Sequence, residues 1–315
     1  MDETIIDVEN LTFGYDEHTV LHDISFKIDE PGFYCIIGPN GVGKSTLIRC
    51  ITGHIKPNSG KVSIYGKDVK DYRLDELAKV VGYVPVMNAD FNVLTVLDTV
   101  LIGRYSHQKW RTTAEDLAIA HGALESMEIG DLAMRYFSEL SAGQRQKVSL
   151  ARGLVQEPRI LILDEPTSNL DVRHQMYVSA FLKTLCEKTG MTVLMISHDL
   201  NLAAKFSDKV LVMEPPGRLY GIGAPKDVVT EEMIEKVYEV PCEIIDDHGS
   251  PHVILQLRGR RRRTSLRARR RLFRIRPRRL SRPGRRWANA CRDTSSISPR
   301  EPRTRTPGSP ISCCT

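Results

Sequence analysis

Over residues 1–257 the spacing of apolar positions changes several times, and each change marks an element. Ile5–Leu11 opens as a strand, with a turn expected at Phe13-Gly14-Tyr15-Asp16. Thr19–Ile28 carries apolar Val20, Ile24, Phe26 and Ile28 with polar residues between the last three, the alternation of a second strand. Phe33–Ile37 is an unbroken apolar run of strand length. After a glycine-rich stretch, Leu47, Ile48, Cys50 and Ile51 recur at helical spacing as far as Gly53, a natural helix stop. Lys61–Tyr65 predicts a strand turning at Gly66-Lys67-Asp68, Leu74–Lys79 a short helix, and Val80–Val84 a strand closed by Pro85. Thr95 and Asp98 have capping-box spacing and open a helix towards Gly103. Leu117, Ala120, Leu124 and Met127 line one face of an amphipathic helix, and a further helix spans Ser141–Gln156, stopped by Pro158. Ile160–Leu163 and Val193–Ile196 are continuous apolar runs, the pattern of parallel strands buried on both faces. Val210–Met213 reads as an edge strand, and Thr230 caps a last helix through Tyr238. The expected architecture is α/β, with a helical subdomain at about 87–156 set between strand-rich parts.

The glycine-rich stretch is Gly38-Pro39-Asn40-Gly41-Val42-Gly43-Lys44-Ser45-Thr46, which matches G-x-x-x-x-G-K-[ST] between a strand and a helix. Glycines let the backbone curl so that successive N–H groups point inward, and the helix N-terminus adds its positive end. Lys44 is expected to reach the β- and γ-phosphates of a nucleotide, and the Ser45 hydroxyl to take one Mg²⁺ position.

Three other stretches end where an α/β fold builds its site. Ile160–Leu163 runs into Asp164-Glu165, carboxylates suited to organising Mg²⁺ and to polarising water. Val193–Ile196 runs into Ser197-His198, where an imidazole could reach a γ-phosphate. Ser141 stands at the cap of its helix, a second anion-binding N-terminus. Tyr15, shortly before the phosphate loop, could stack on adenine or be a half-buried hairpin tyrosine.

Composition changes the picture in one place. Of 45 Lys and Arg and 39 Asp and Glu, twenty arginines, no lysine and two acids lie from Arg258 onward. The chain before that point is therefore acidic, with a net charge of −12, and residues 258–315 carry +18. This arginine-rich segment has no helical or strand period, and its composition argues disorder. It reads as a phosphate-binding arm, or as GC-rich DNA translated in a shifted frame, the natural protein ending soon after Leu255. No run of 18 apolar residues exists and the acidic N-terminus lacks a signal-peptide pattern, so a cytoplasmic location is expected. Cys35, Cys50, Cys186 and Cys242 stand apart in apolar or helical contexts, as small core residues do.

Taken together, these motifs resemble the nucleotide-binding subunit of an ABC transporter over about residues 3–255. Leu140-Ser141-Ala142-Gly143-Gln144 resembles the signature motif, with Ala142 in place of a glycine. Ile160–Glu165 resembles Walker B with its catalytic glutamate, Ser168–Asp171 the D-loop, His198 the switch histidine and Tyr15 the adenine-stacking aromatic. The resemblance implies a P-loop NTPase core with an antiparallel β subdomain and a helical subdomain. It also implies ATP and Mg²⁺, and a head-to-tail homodimer. In that dimer Ser141, Gly143, Gln144 and Asp171 of one copy complete the site of the other. The implied partners are integral-membrane permease subunits and, indirectly, a substrate-binding protein. The chain would then sit peripherally on the inner face of the cell membrane, and nucleic acid is not an expected partner.

One position departs from the family. After Gly82-Tyr83-Val84-Pro85 the family places a glutamine, and this chain has Val86. Coupling is then altered, or a nearby residue such as Asn88 stands in, or the position is a loss. Thr95–Arg104 and Gly223-Ala224-Pro225 resemble importers of iron–siderophore, haem and cobalamin. Zinc or manganese importers, and a soluble ABC-type ATPase acting on nucleic acid, are the alternatives.

Overall fold

The computed structural model describes residues 4–16, 18–86, 93–105, 107 and 111–257. Asn88 and the arginine-rich segment, with both readings of it, lie outside them.

The chain begins with two long antiparallel strands, β1 (Ile6–Tyr15) and β2 (His18–Ile28), followed by β3 (Phe33–Ile37), α1 (Lys44–Ile51), β4 (Ser59–Ile64) and β5 (Lys67–Asp68). β1 runs through the expected turn at Phe13–Tyr15. Register shifts after Val8, Leu11 and Phe13, with Asn10 in the left-handed region, absorb the irregular polar pattern and keep Phe13 buried. Next come α2 (Leu74–Val80), β6 (Val81–Val84), α3 (Val96–Leu101), α4 (Ala114–Ser126) and α5 (Ala142–Leu154). β7 (Ile160–Leu163), α6 (Val172–Thr189), β8 (Thr192–Ile196), α7 (Leu200–Phe206), β9 (Lys209–Glu214) and β10 (Arg218–Gly223) complete the core. α8 (Pro225–Val228), α9 (Glu231–Tyr238) and a hairpin of β11 (Cys242–Asp247) and β12 (Ser250–Leu255) close the described chain.

Two sheets carry the fold. One is antiparallel, ordered β2-β1-β4-β5; the other is ordered β10-β9-β3-β8-β7-β6, parallel except where β10 joins β9. Side chains of a strand point alternately to its two faces, and here both faces are covered. Tyr34, Ile36, Ile160, Ile162, Leu194 and Ile196 pack with α1 and the antiparallel sheet. Phe33, Cys35, Leu161, Leu163, Val193 and Met195 pack instead with the helices between β6 and β7 and with α6. That is why these strands read as continuous apolar runs. β9 obeys the same rule, with Val210 to Met213 all buried. It is an interior strand, not the expected edge, because β10 pairs along it.

The helical stretch also corrects one expectation. Thr113 caps α4 in a capping box with Asp116. The face that α4 buries is Asp116, Ala120 and Leu124, continued by Met127 beyond its end, while Leu117 is exposed. Asp116 tolerates that place because Arg104, itself only 6% exposed, donates from Nε to its Oδ1 at 2.9 Å. The same guanidinium donates to the Val155 carbonyl at 2.8 Å and to Glu157 at 2.5 Å. One buried cation thus ties the segment after α3 to the start of α4 and the end of α5. At α3 itself only half of the capping box forms. The Thr95 hydroxyl accepts from the Asp98 amide at 3.1 Å and donates to the Asp98 carboxylate at 2.6 Å.

Candidate active site

Parallel strands deliver their C-terminal ends to one side of a sheet, and β3, β7 and β8 end there in the phosphate loop, in Asp164-Glu165 and in Ser197-His198. The loop runs into α1, whose first residue is Lys44. Lys44 is buried and donates from Nζ to the carbonyls of Gly38 at 2.8 Å and Pro39 at 2.9 Å. Burial pulls its pKa down, while Glu165 and Asp164 pull it back up. The ammonium is thus held within its own loop by backbone oxygens, which are weaker partners than phosphate.

The Ser45 hydroxyl donates to Asp164 Oδ1 at 3.1 Å across 119 residues of sequence. Asp164 continues the sheet ladder through its amide to Val84 and is 3% exposed. Burial raises its carboxyl above the ordinary range. The Ser45 bond opposes that rise, the Glu165 charge adds to it, and Arg49 and Lys44 oppose it. A hydroxyl and a carboxylate side by side are hard oxygen donors, fit for Mg²⁺, which keeps most of its shell for phosphate and water. Among the described residues no cluster of three or more His, Cys, Asp and Glu could hold a metal by itself.

Glu165 sits next in the chain in a left-handed backbone conformation, φ +51°, in a turn closed by the Ser168 amide and hydroxyl on its carbonyl at 3.3 and 3.0 Å. Its Oε1 pairs with His198 Nε2. The structure therefore brings His198 to the Glu165 carboxylate. A left-handed non-glycine residue costs on the order of 1–2 kcal/mol, and such strain concentrates at functional turns.

Ser141, Gly143, Gln144 and Asp171 gather elsewhere. With Asn169, Leu170 and His174 among others, they line a cavity of about 570 Å³ that includes no residue of the phosphate loop. Ser141 and Gln144 cap α5 reciprocally: Ser141 N–H donates to Gln144 Oε1 at 2.9 Å, and Gln144 N–H to Ser141 Oγ at 3.3 Å. Ala142 is exposed. Asp171 caps α6 through the His174 amide at 2.9 Å and pairs with His174 Nδ1 at 2.9 Å, which holds its carboxyl below the ordinary range. Tyr15 is 48% exposed and forms an edge-to-face pair with Phe13, ring centroids 4.9 Å apart. Val86, 37% exposed, stands at the last described residue after β6. A larger cavity of about 940 Å³, lined by Ile119, Phe181 and Leu185 among others, holds none of these residues.

Arg49 and His174 were not among the expected site residues. Both lie one helical turn from a motif residue, Arg49 after Ser45 and His174 after Asp171, and that spacing was the available signal.

Comparison with known proteins agrees with the geometry. Residues 21–168 match the ABC transporter family. The ferric enterobactin transport ATP-binding protein of Escherichia coli is 37% identical over 252 residues, 78% of this chain and 92% of that protein. The hemin import ATP-binding protein of Rhizobium meliloti is 36% identical over 247 residues, 75% of this chain and 93% of its own. A bacterial ABC transporter cassette solved as a dimer superimposes with a TM-score of 0.63 at 30% identity, covering 70% of this chain and 98% of that one.

Proposed function

Because this chain belongs to the ABC transporter family, as one of its ATP-binding subunits, we propose that it hydrolyses ATP to drive import of an iron chelate, a ferric siderophore or haem. The observation that carries the ATPase reading is the meeting of Lys44, Ser45, Asp164, Glu165 and His198 at one end of the parallel sheet. The substrate class rests on the relatives, which transport ferric enterobactin and hemin.

In this reading the backbone N–H groups of the loop Gly38–Thr46, all but the N–H-less Pro39, cradle the phosphates. Lys44 exchanges the carbonyls of Gly38 and Pro39 for phosphate oxygens, and the exposed Tyr15 ring stacks on adenine. Ser45 and Asp164 hold Mg²⁺, which when bound offsets the charge that develops on the phosphoryl oxygens. Glu165 accepts the proton of the attacking water, and His198 keeps that carboxylate aimed.

The separate cavity at Ser141, Gly143, Gln144 and Asp171 is completed by a second copy. Its α5 N-terminus then meets the phosphates in a head-to-tail dimer. Val93, Ile102, Tyr105, Met134 and Tyr136 are exposed, and all lie between β6 and β7, which suits a face covered by permease subunits. No helix among the described residues is long and apolar enough to cross a membrane. In this reading the chain docks on the inner side of membrane-spanning permease subunits.

Lys44→Ala tests the phosphate loop: equilibrium ATP titration should show most of the affinity lost, and unchanged binding would mean the loop is only a turn. The substrate class is tested by uptake. A strain without this chain that still imports ferric siderophores and haem at the wild-type rate would refute it.

A further inference from the structure

The cavity that holds Ser141, Gly143 and Gln144 also contains a charge that the motifs do not account for. Lys147 lines it while being only 6% exposed. Among the described residues its Nζ meets one acid, Glu128 Oε2 at 3.9 Å, which is beyond hydrogen-bond distance. No hydrogen bond from the ammonium is formed among those residues. Glu128 is itself half-exposed, so water screens the charge it could offer. A buried lysine normally has a close partner, because the cost of taking an ammonium out of water is otherwise unmatched. Arg104, buried to the same degree, shows the contrast by donating to three oxygens. The other acids of the cavity do not fill the gap. Asp171 is committed to the cap of α6 and to His174, and Asp131 is exposed. The helix shows where the unmatched charge acts. Lys147 follows Gln144 by three residues and Gly143 by four, so all three share one face of α5. Helical side chains lean towards the N-terminus of their helix. The ammonium therefore adds to the positive end of α5, whose first amides have no acceptor within the helix.

We propose that Lys147 is the cation of this half-site and attracts the phosphates of a nucleotide held by the phosphate loop of a second copy. The inference rests on the head-to-tail dimer proposed above. A triphosphate brought against this cavity supplies the anionic oxygens that no protein group offers the ammonium at close range. Two copies that close on ATP thereby satisfy a buried charge in each of them. Association is then favoured by the charge of the nucleotide itself, and Glu128, the one acid near the ammonium, opposes it.

The test uses the full chain carrying Glu165→Gln, so that bound ATP persists. Light scattering follows dimer formation as the protein concentration rises at saturating ATP and Mg²⁺. Adding Lys147→Gln should raise the concentration at which half of the chain is dimeric by at least about tenfold, the usual worth of a contact to a charged group. Lys147→Arg keeps the charge and should restore the midpoint to within about threefold of the parent. Added NaCl should weaken the parent dimer more than the Lys147→Gln dimer, a difference that lost packing would not produce. Dimerisation of Lys147→Gln at the parent's concentration overturns the proposal. So does an equal loss of ATP binding by the monomer, which would mark a structural role. If Lys147→Gln does not fold, Glu128→Gln carries the test from a half-exposed position. It should tighten the dimer by about two- to fivefold, and an unchanged or weaker dimer overturns the proposal. A parent chain that binds ATP yet stays monomeric overturns the head-to-tail reading beneath it, and one that binds no ATP overturns the nucleotide reading as well.

Discussion

Glu165→Gln separates binding from chemistry at this site. The substitution preserves size and shape. The turn that holds residue 165 is closed by Ser168 on its backbone carbonyl, which a change of side chain leaves in place. Glutamine meets the same left-handed penalty as glutamate, so folding stability should move by no more than about 0.5 kcal/mol. What disappears is the carboxylate that can accept a proton and that pairs with His198. A positioned general base contributes about 10²–10⁴-fold, which is about 2.7–5.4 kcal/mol of barrier. The electrostatics of binding move the other way. Glu165 helps raise the Asp164 pKa, and it is one of the negative charges an incoming triphosphate must face. Removing it should leave ATP affinity intact or tighten it. Single-turnover phosphate release with protein in excess measures the first effect, and equilibrium titration the second. Light scattering should show the mass of a stable ATP-bound dimer, because the bound nucleotide is no longer consumed. Hydrolysis at the wild-type rate would place the base elsewhere. A parallel fall in binding and hydrolysis would mean that Glu165 serves only to hold the loop.

Two further perturbations reach beyond the reacting groups. The Asp116 carboxyl is held at about 2 by the Thr113 amide, by Arg104 and by the Thr113 hydroxyl. A depressed folded pKa means stability that is complete above the unfolded value of about 3.9 and is lost as the pH falls towards the folded one. Asp116→Asn should therefore unfold at lower denaturant than wild type at pH 7, with the gap closing between about pH 4 and pH 2. A gap that stays constant with pH would show that the carboxylate charge contributes nothing. Val86→Gln should bind ATP within about twofold of wild type, as half-exposed substitutions generally do, while ATP hydrolysis stimulated by the permease rises. No change in either rate or coupling would mean that the role of the family's glutamine has moved to another residue.

The parts of the site legible in the sequence are those whose chemistry constrains neighbouring residues. A backbone curled around phosphate needs glycines at set offsets, and Ser45 must come directly after Lys44 for both to enter α1 side by side. The buried strands were legible for a related reason: two covered faces leave no polar position. Where the sequence misled, the deciding partner lay elsewhere in the chain. Val210–Met213 has the same unbroken apolar character as Ile160–Leu163. Its interior place depends on β10, whose Leu219-Tyr220-Gly221-Ile222-Gly223 shows no clear period. The hairpin Cys242–Leu255 was not expected either, because few of its residues are buried and its alternation is broken by paired acids at Asp246-Asp247.

The same distinction separates the groups that do the chemistry from those that hold them. Ser45 and Asp164 meet across 119 residues, yet each sits in a motif of its own, so their meeting could be anticipated. Arg104 and Glu157 meet across 53 residues without either belonging to a motif of the phosphate site. A buried arginine is tolerable only when its charge is matched, and periodicity cannot say which acid will match it. Helical spacing placed Leu117 on the buried face of α4, but the match to Arg104 placed Asp116 there. Motifs mark where a nucleotide is touched. How firmly the elements around them are held depends on contacts between distant segments, and a substitution at Arg104 acts on that firmness without altering any residue of the phosphate site.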